Sequence, residues 1–453
     1  MSKKSYSVSS ENKINNFNKT IEVDSDKSIS IRSFIIGSIS QGITEVSNIL
    51  ESEDVFSTIE CLKKLNVLIK KKSKGKYEVF GKGLGSFYAK ENTLIDFKNS
   101  GTCSRLLQSI IAVTPGLKVR LTGDASLRKR NMSRLIDILS QFGADFYPKN
   151  KVNLPYTICG SDIPIGISYK AGVSSQLKSA ALLSATNSFG TSTVIEERKI
   201  ESRDHTENIL LKNPNVIKIK KDNKKSIIKI FGKKYLDSLK YKVFGDPSSA
   251  AFFAAICILN TKSKLKIKNV GLNPKRIGFF KLIKLHGAKI KFQNIKRNSI
   301  NELVGDIKIE SGSLKPIRAK SNVYPTMPDE YPILVRGSEF ISYAAAPCGL
   351  FASGILLSQT PLLGNIKMAA VLTIFKMLLH PFVGFLLIIM IGSYSFAEAQ
   401  TTLMVTVAPV GIMAVTFANR YKINAEAVAQ SVLWSFLMSI LFIPILGLLG
   451  KEF

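Results

Sequence analysis

The sequence predicts an α/β fold built of repeated βαβ-type units, followed by an all-α membrane segment. Two observations carry this. A helix–turn–strand unit recurs four times between residues 60 and 311, and near residue 340 a lysine-rich body gives way to long apolar stretches. Charge makes the same division. The 453 residues carry a net charge of +30, but from Phe340 onward five Lys/Arg stand against three Glu, so +28 belongs to the front of the chain.

The repeats read as follows. Glu60–Lys71 with Tyr77–Gly81 is a short helical pattern, a turn and a strand. Leu135–Phe146 with Tyr156–Gly160 repeats it, the turn spelled Phe-Gly-Ala. Glu207–Asn213, Val216–Lys220 and Ser226–Gly232 form a third copy, and Phe279–Phe292 with Asp306–Ser311 a fourth, its turn spelled His-Gly-Ala. The copies lie roughly 70–75 residues apart. Each unit has a short apolar helix face that must be buried against its neighbours, which favours a closed cluster over separate domains. Residues 21–240 then make a complete three-unit lobe and residues 241–340 an incomplete second lobe. Residues 1–20 form a basic extension that supplies the first strand of that second lobe.

Residues 341–453 read as about four membrane spans: Ser342–Leu357, Ala369–Gly392, Thr401–Ala418 and Ala427–Leu449. Pro347, Pro381, Pro409 and Pro444 lie within them, as in transporters with broken helices. This predicts a multi-pass protein whose front portion lies in the cytoplasm, although Lys367, Arg420 and Lys422 would share the side opposite that portion. The N-terminus has no apolar h-region, so no signal peptide is expected. Five dispersed cysteines without a CxxC pair suggest neither a metal site nor a disulfide framework. The scattered lysines read as a solvated surface. No nucleic-acid-binding signature accompanies them.

Several polar segments precede helical patterns, where backbone N–H groups and the helix dipole favour anions. Asp26–Arg32 (DKSISIR) puts Lys27, Ser28 and Arg32 at a strand-to-helix junction, and Asn99–Arg105 (NSGTCSR) offers Asn99 and a close backbone approach at Gly101. Gly123–Met132 gathers three cations, Arg128, Lys129 and Arg130. Ala171–Lys178 presents Ser174, Ser175 and Gln176, and Ser202–Glu207 presents Arg203 and His205. Each doubles as a simple helix cap; His205 reads first as a structural histidine and second as a general base. Asp329 and Glu330 sit on a proline-flanked turn, and either can serve as a base.

In this order and spacing, the motifs DKSIS-x-R, NSGT, LTGDASL-x-KR, SSQLKSA, ESRDHTE, GDPSSAAF and DE-x-PIL resemble the 5-enolpyruvylshikimate-3-phosphate synthase family (3-phosphoshikimate 1-carboxyvinyltransferases) over residues 21–334. The resemblance implies the enolpyruvyl transferase-like inverse α/β barrel of six units, with its site between two lobes. It implies addition of the 5-hydroxyl of shikimate 3-phosphate to C2 of phosphoenolpyruvate, followed by loss of phosphate, with no cofactor and no metal. By this resemblance Lys27, Asn99, Gly101 and Arg130 hold phosphoenolpyruvate. Lys27, Ser28, Arg32, Ser174, Ser175, Gln176, Arg203 and Asp329 hold shikimate 3-phosphate. Asp329 and Lys27 are the catalytic pair, Asp329 as general base. A sister family acting on UDP-N-acetylglucosamine is disfavoured by DKSIS-x-R and SSQLKSA.

The sequence departs from the family pattern at small positions (Asp24, Ser25, Ile31, Asn131 and Pro328) and at one large segment. The K-E-x-D-R and D-H-R segments and the late lysine expected after Leu334 do not occur in Phe340–Phe453. Ala346–Ile355 and Thr406–Met413 resemble instead the auxin efflux carrier family of membrane transporters. The expectation is therefore a synthase impaired by loss of its C-terminal catalytic residues. The alternatives are a transporter fragment fused to a vestigial enzyme domain and a join of two reading frames.

Overall fold

The computed structural model describes residues 16–200, 202–260, 262–315, 317, 319, 321–334 and 366–379, with isolated positions beyond. Met1–Leu334 and Val335–Phe453 form two separate compact units.

In the first unit, one four-stranded sheet pattern occurs four times. The sheets comprise β13 (Lys240–Lys242), β2 (Gln41–Ser47), β4 (Lys76–Lys82) and β3 (Ile69–Ser73); β5 (Leu94–Asp96), β6 (Lys118–Thr122), β8 (Tyr156–Cys159) and β7 (Asp145–Tyr147); β9 (Ser168–Ala171), β10 (Thr191–Glu197), β12 (Lys225–Phe231) and β11 (Ile217–Lys221); and β1 (Asn18–Glu22), β14 (Lys264–Gly271), β16 (Leu303–Glu310) and β15 (Lys289–Arg297). In every sheet the first pair is parallel and the other two antiparallel.

Two strands come from outside their own unit. The strand β1 joins the fourth unit beside β14, and β13 returns to complete the first unit beside β2. The chain therefore passes twice between two apolar cores. One core is drawn mainly from Ile29–Phe244 and the other from Ala250–Met327. The passages lie side by side, with Asp26 N–H donating to Phe244 O and Asp246 N–H to Asp24 O, both at 2.8 Å.

Each unit has an inner helix before its second strand: α1 (Lys27–Ile39), α3 (Gly101–Ile111), α6 (Ser175–Thr186) and α8 (Pro247–Leu259). An outer helix follows that strand: α2 (Glu53–Lys64), α5 (Ser133–Gln141, after the single turn α4, Ala125–Arg128), α7 (His205–Leu210) and α9 (Gly278–Leu285). The outer helices α2, α5 and α9 end alike. Val67 N–H donates to Leu62 O, Ala144 N–H to Leu139 O and Ala288 N–H to Ile283 O. This wrapped ending needs a left-handed residue, supplied by Asn66, Gly143 and Gly287 at φ 64°, 94° and 104°. That is the physical content of the repeated x-Gly-Ala turns.

The helix expected to follow the Asp26–Arg32 junction begins inside it, because Asp26 Oδ1 accepts from Ile29 N at 2.8 Å and caps α1 at Lys27. Eleven of the thirteen residues of α1 are buried, since α1, α3 and α6 pack at the centre of the first core. The inner helix α8 is just as apolar, yet Phe252, Phe253, Ile256 and Leu259 are exposed, Leu259 at 79%. Among the described residues the second core has one unit where the first has three, and there one flank of α8 lacks the neighbours that cover α1.

In the second unit, α10 (Ile366–Ile374) runs into a π-helical turn at Phe375–Leu379. The four expected spans fall mostly outside the described residues. Among those described, no helix is long and apolar enough to cross a membrane, so the described part does not support the all-α membrane segment.

Candidate active site

The first turns of all four inner helices open on one cavity of about 720 Å³. Lys27 and Ser28 come from α1, Gly101 and Thr102 from α3, Gln176 from α6, and Ser248 and Ser249 from α8. Side chains of Asp26, Ser100, Ser174 and Asp246 cap these helices, leaving other first-turn N–H groups and four helix N-termini for an anion.

Eight of the eleven residues singled out from the sequence line this cavity: Lys27, Ser28, Asn99, Gly101, Arg130, Gln176, Arg203 and Asp329. The other three lie beside it. Ser174 Oγ accepts from Leu177 N, and Ser175 begins α6. Arg32 is buried one turn below Lys27 and spends its guanidinium internally, on Thr206 Oγ1 (3.0 Å), Ser28 O (3.1 Å) and Ser179 Oγ (3.1 Å). Burial lowers its pKa to about 10, with Asp26 opposing the shift.

One corner gathers unopposed positive charge. Arg130 Nη2 donates to Asn99 Oδ1 at 3.2 Å, and Arg105 Nη1 donates to Gly101 O (3.0 Å) and Gln176 Oε1 (2.9 Å). Burial and the neighbouring Arg130 lower the Arg105 pKa, so an anion placed here would relieve both. Gly101 leaves room for both guanidinium groups. A Cβ there would lie 2.5 Å from Arg130 Nη1 and 3.0 Å from Arg105 Nη1.

The opposite side is neutralised by ion pairs. Lys27 Nζ lies 3.0 Å from Asp54 Oδ2, and Arg203 Nη1 lies 2.9 Å from Asp329 Oδ2. Burial pushes the Asp329 carboxyl up, but Arg203, Arg276 and Lys27 together hold it below the usual range. Arg203 Nε and Nη2 are buried without a hydrogen-bond partner. Two donors are thus already desolvated and directed for a ligand.

The sequence reading missed Arg276. It is 3% exposed and joins Glu330 Oε1 (2.7 Å), Ser248 Oγ (2.6 Å) and Asp246 Oδ1 (3.2 Å), with Asp329 Oδ2 at 3.5 Å. Its signal was the Asn-Pro-Lys-Arg turn at Asn273–Arg276, a cationic turn before a helix like those that were noticed. Glu330 is 1% exposed and bound to Arg276, whereas Asp329 lines the cavity half-exposed, which separates the two carboxylates left open by the sequence. The Asp246 carboxyl is pushed up to about 6 by burial and by Asp26, against the pull of Arg276. His205 lies away from the cavity lining, buried with Nδ1 2.8 Å from Glu302 Oε1, in the structural role. Among the described residues no cluster of three or more His, Cys, Asp or Glu could hold a metal.

Comparison with known proteins follows the same division. A family model described as EPSP synthase (3-phosphoshikimate 1-carboxyvinyltransferase) matches residues 11–345, and one described as membrane transport protein matches residues 319–446. The chain is 42% identical over 322 residues to a 3-phosphoshikimate 1-carboxyvinyltransferase of Petrotoga mobilis, covering 70% of this chain and 72% of that protein. The solved EPSP synthase of Acinetobacter baumannii superposes with a TM-score of 0.62 at 32% identity, covering 70% of each chain. An enolpyruvyl transferase of Streptomyces tendae shares the fold at 12% identity, with a TM-score of 0.52 over 67% of this chain and 68% of its own.

Proposed function

The chain belongs to the EPSP synthase family, and from that premise we propose that it is a 3-phosphoshikimate 1-carboxyvinyltransferase that binds its substrates but turns them over poorly. The observation that carries this reading is the convergence of Lys27, Asn99, Arg130, Gln176, Arg203 and Asp329 on one cavity at four helix N-termini. Shikimate 3-phosphate would take the two unpartnered Arg203 donors. The phosphoenolpyruvate anion would sit at the Arg105–Arg130 corner. Asp329 would accept the proton of the 5-hydroxyl as that oxygen bonds to C2 of phosphoenolpyruvate and C3 takes up a proton from water; phosphate would then leave C2 of the tetrahedral intermediate as a C3 proton is lost to water, which restores the double bond.

The base is weak as it stands, because three cations stabilise its ionised form. The family's further cations and second acid–base group have no counterpart in Phe340–Phe453. Each lost electrostatic donor costs roughly 10²–10³ in kcat. Calorimetry of the purified chain with shikimate 3-phosphate, followed by phosphate release from phosphoenolpyruvate, tests both parts. Binding with negligible release is expected. Robust release would overturn the impairment, and absence of binding would overturn the site.

A second reading rests on the match of residues 319–446 to membrane transport proteins: the tail would associate with a membrane as a transporter fragment. Retention of the chain in membranes after an alkaline wash is the expected result. Full release would remove this reading.

A further inference from the structure

We propose that the outer face of the β1–β14–β16–β15 sheet docks on an anionic phospholipid surface. Leu265, Ile267, Ile290, Ile307 and Ile309 are buried in the second core, so their neighbours along each strand face outward. On that outer face Lys266, Lys308 and Lys291 stand side by side on three adjacent strands. Lys264, Lys268 and Lys289 flank this row, against Glu22, Asp306 and Glu310.

Two of these lysines are paired: Lys266 Nζ lies 3.0 Å from Asp306 Oδ2, and Lys308 Nζ lies 3.6 Å from Glu310 Oε1. The side chains of Lys264, Lys268, Lys289 and Lys291 are exposed and make no ion pair or hydrogen bond among the described residues. Like charges directly opposite one another destabilise a sheet. The equivalent row of the first sheet avoids this, with Glu45 and Glu78 between Lys240 and Lys70. Lysines also guard open sheet edges, but β14 and β16 are inner strands, so edge protection does not account for the row. Adjacent strands lie about 4.8 Å apart, so the three lysines fall within about one Debye length and act as a single patch.

The occupant follows from charge and from chain order. These rows hold no arginine and no aromatic ring, and bare lysine charges suit lipid headgroup phosphates better than stacked bases. The second core also leads directly into the match to membrane transport proteins, which begins at residue 319. The choice of lipid over other polyanions rests on that reading of the tail.

The test acetylates the full-length chain in the presence of phosphatidylcholine vesicles, with or without phosphatidylglycerol, and reads each lysine by mass spectrometry. Lys264, Lys268, Lys289 and Lys291 should lose roughly tenfold in reactivity on the mixed vesicles at low salt and little on the neutral ones. Lys218, Lys220, Lys225 and Lys229, exposed on the third sheet, should keep theirs. In flotation, the Lys264→Gln/Lys268→Gln/Lys289→Gln/Lys291→Gln variant should lose the salt-sensitive part of binding to mixed vesicles, and the same four changes on the third sheet should not. Equal protection of both sheets would overturn the proposal, as would full reactivity of the four lysines on mixed vesicles. Stronger protection by an RNA oligonucleotide at equal phosphate concentration would overturn the commitment to lipid. Capture by neutral vesicles reads the tail alone. Capture there without protection of the four lysines on mixed vesicles sinks the face and leaves the tail reading. Protection without capture by neutral vesicles does the reverse.

Discussion

Arg203 Nη1 lies 2.9 Å from Asp329 Oδ2, so the cation proposed for a substrate phosphate and the carboxylate proposed as base neutralise each other. A phosphate that takes the buried Nε and Nη2 of Arg203 competes with this pair. Losing a charge-assisted contact of this kind costs about 1.5–3 kcal/mol. Arg203→Gln should weaken shikimate 3-phosphate binding by roughly tenfold to a hundredfold, measured by calorimetry, whereas Asp329→Asn should leave binding within a few-fold while abolishing any residual turnover.

Gly101→Ala tests the anion corner with little damage to the fold. The added methyl meets the ends of two flexible arginines rather than backbone, so stability should change by less than about 1 kcal/mol. Displacement of Arg130 should raise the phosphoenolpyruvate Kd by roughly tenfold. An unchanged Kd in a folded variant would remove Arg130 from that contact.

Lys178 is fully buried, 2.9 Å from Glu196 Oε1 and 2.7 Å from Glu207 Oε1. Burial pushes the Glu207 carboxyl up even with this partner present. Lys178→Met strands two buried carboxylates and should destabilise the protein by about 3–5 kcal/mol. Adding Glu207→Gln should recover part of the loss. Urea denaturation followed by tryptophan-independent far-UV signal is the appropriate measurement.

Asp246 makes stability depend on pH in a predictable direction. Its folded pKa of about 6 lies above the unfolded value of about 3.9. The folded state therefore binds the extra proton between those values, and the contribution of this group is fully present below the lower value and lost as pH rises through about 6. Asparagine caps helices as well as aspartate. Asp246→Asn should keep the α8 cap while flattening this part of the profile, read as the midpoint difference from wild type between about pH 4 and 7.

The exposed apolar flank of α8 gives a surface prediction. Phe253→Gln and Leu259→Gln remove side chains that face solvent, so each should shift stability by less than about 0.5 kcal/mol. Together they should reduce binding of a hydrophobic dye and self-association in light scattering.

The repeats were readable because their turn chemistry is local: a left-handed Gly or Asn ends an outer helix, and the following strand alternates. The lining residues were readable because helix N-termini carry their polar residues in contiguous motifs. Arg276 and Arg105 escaped notice because their partners, Glu330 and Gln176, lie 54 and 71 residues away in sequence and meet them only through the fold. The early start of α1 was hidden by Lys27 and Ser28, which do not look helical until Asp26 is recognised as the cap.

The paired passages at Ser25 and Gly245 limit how the two halves can move. A single connector would let one half swivel freely, whereas two antiparallel tethers bonded to each other act as the pin of a door. Opening and shutting then reduces to rotation about one line, and that line runs beside Asp26 and Asp246, at the roots of the helices that would grip a ligand.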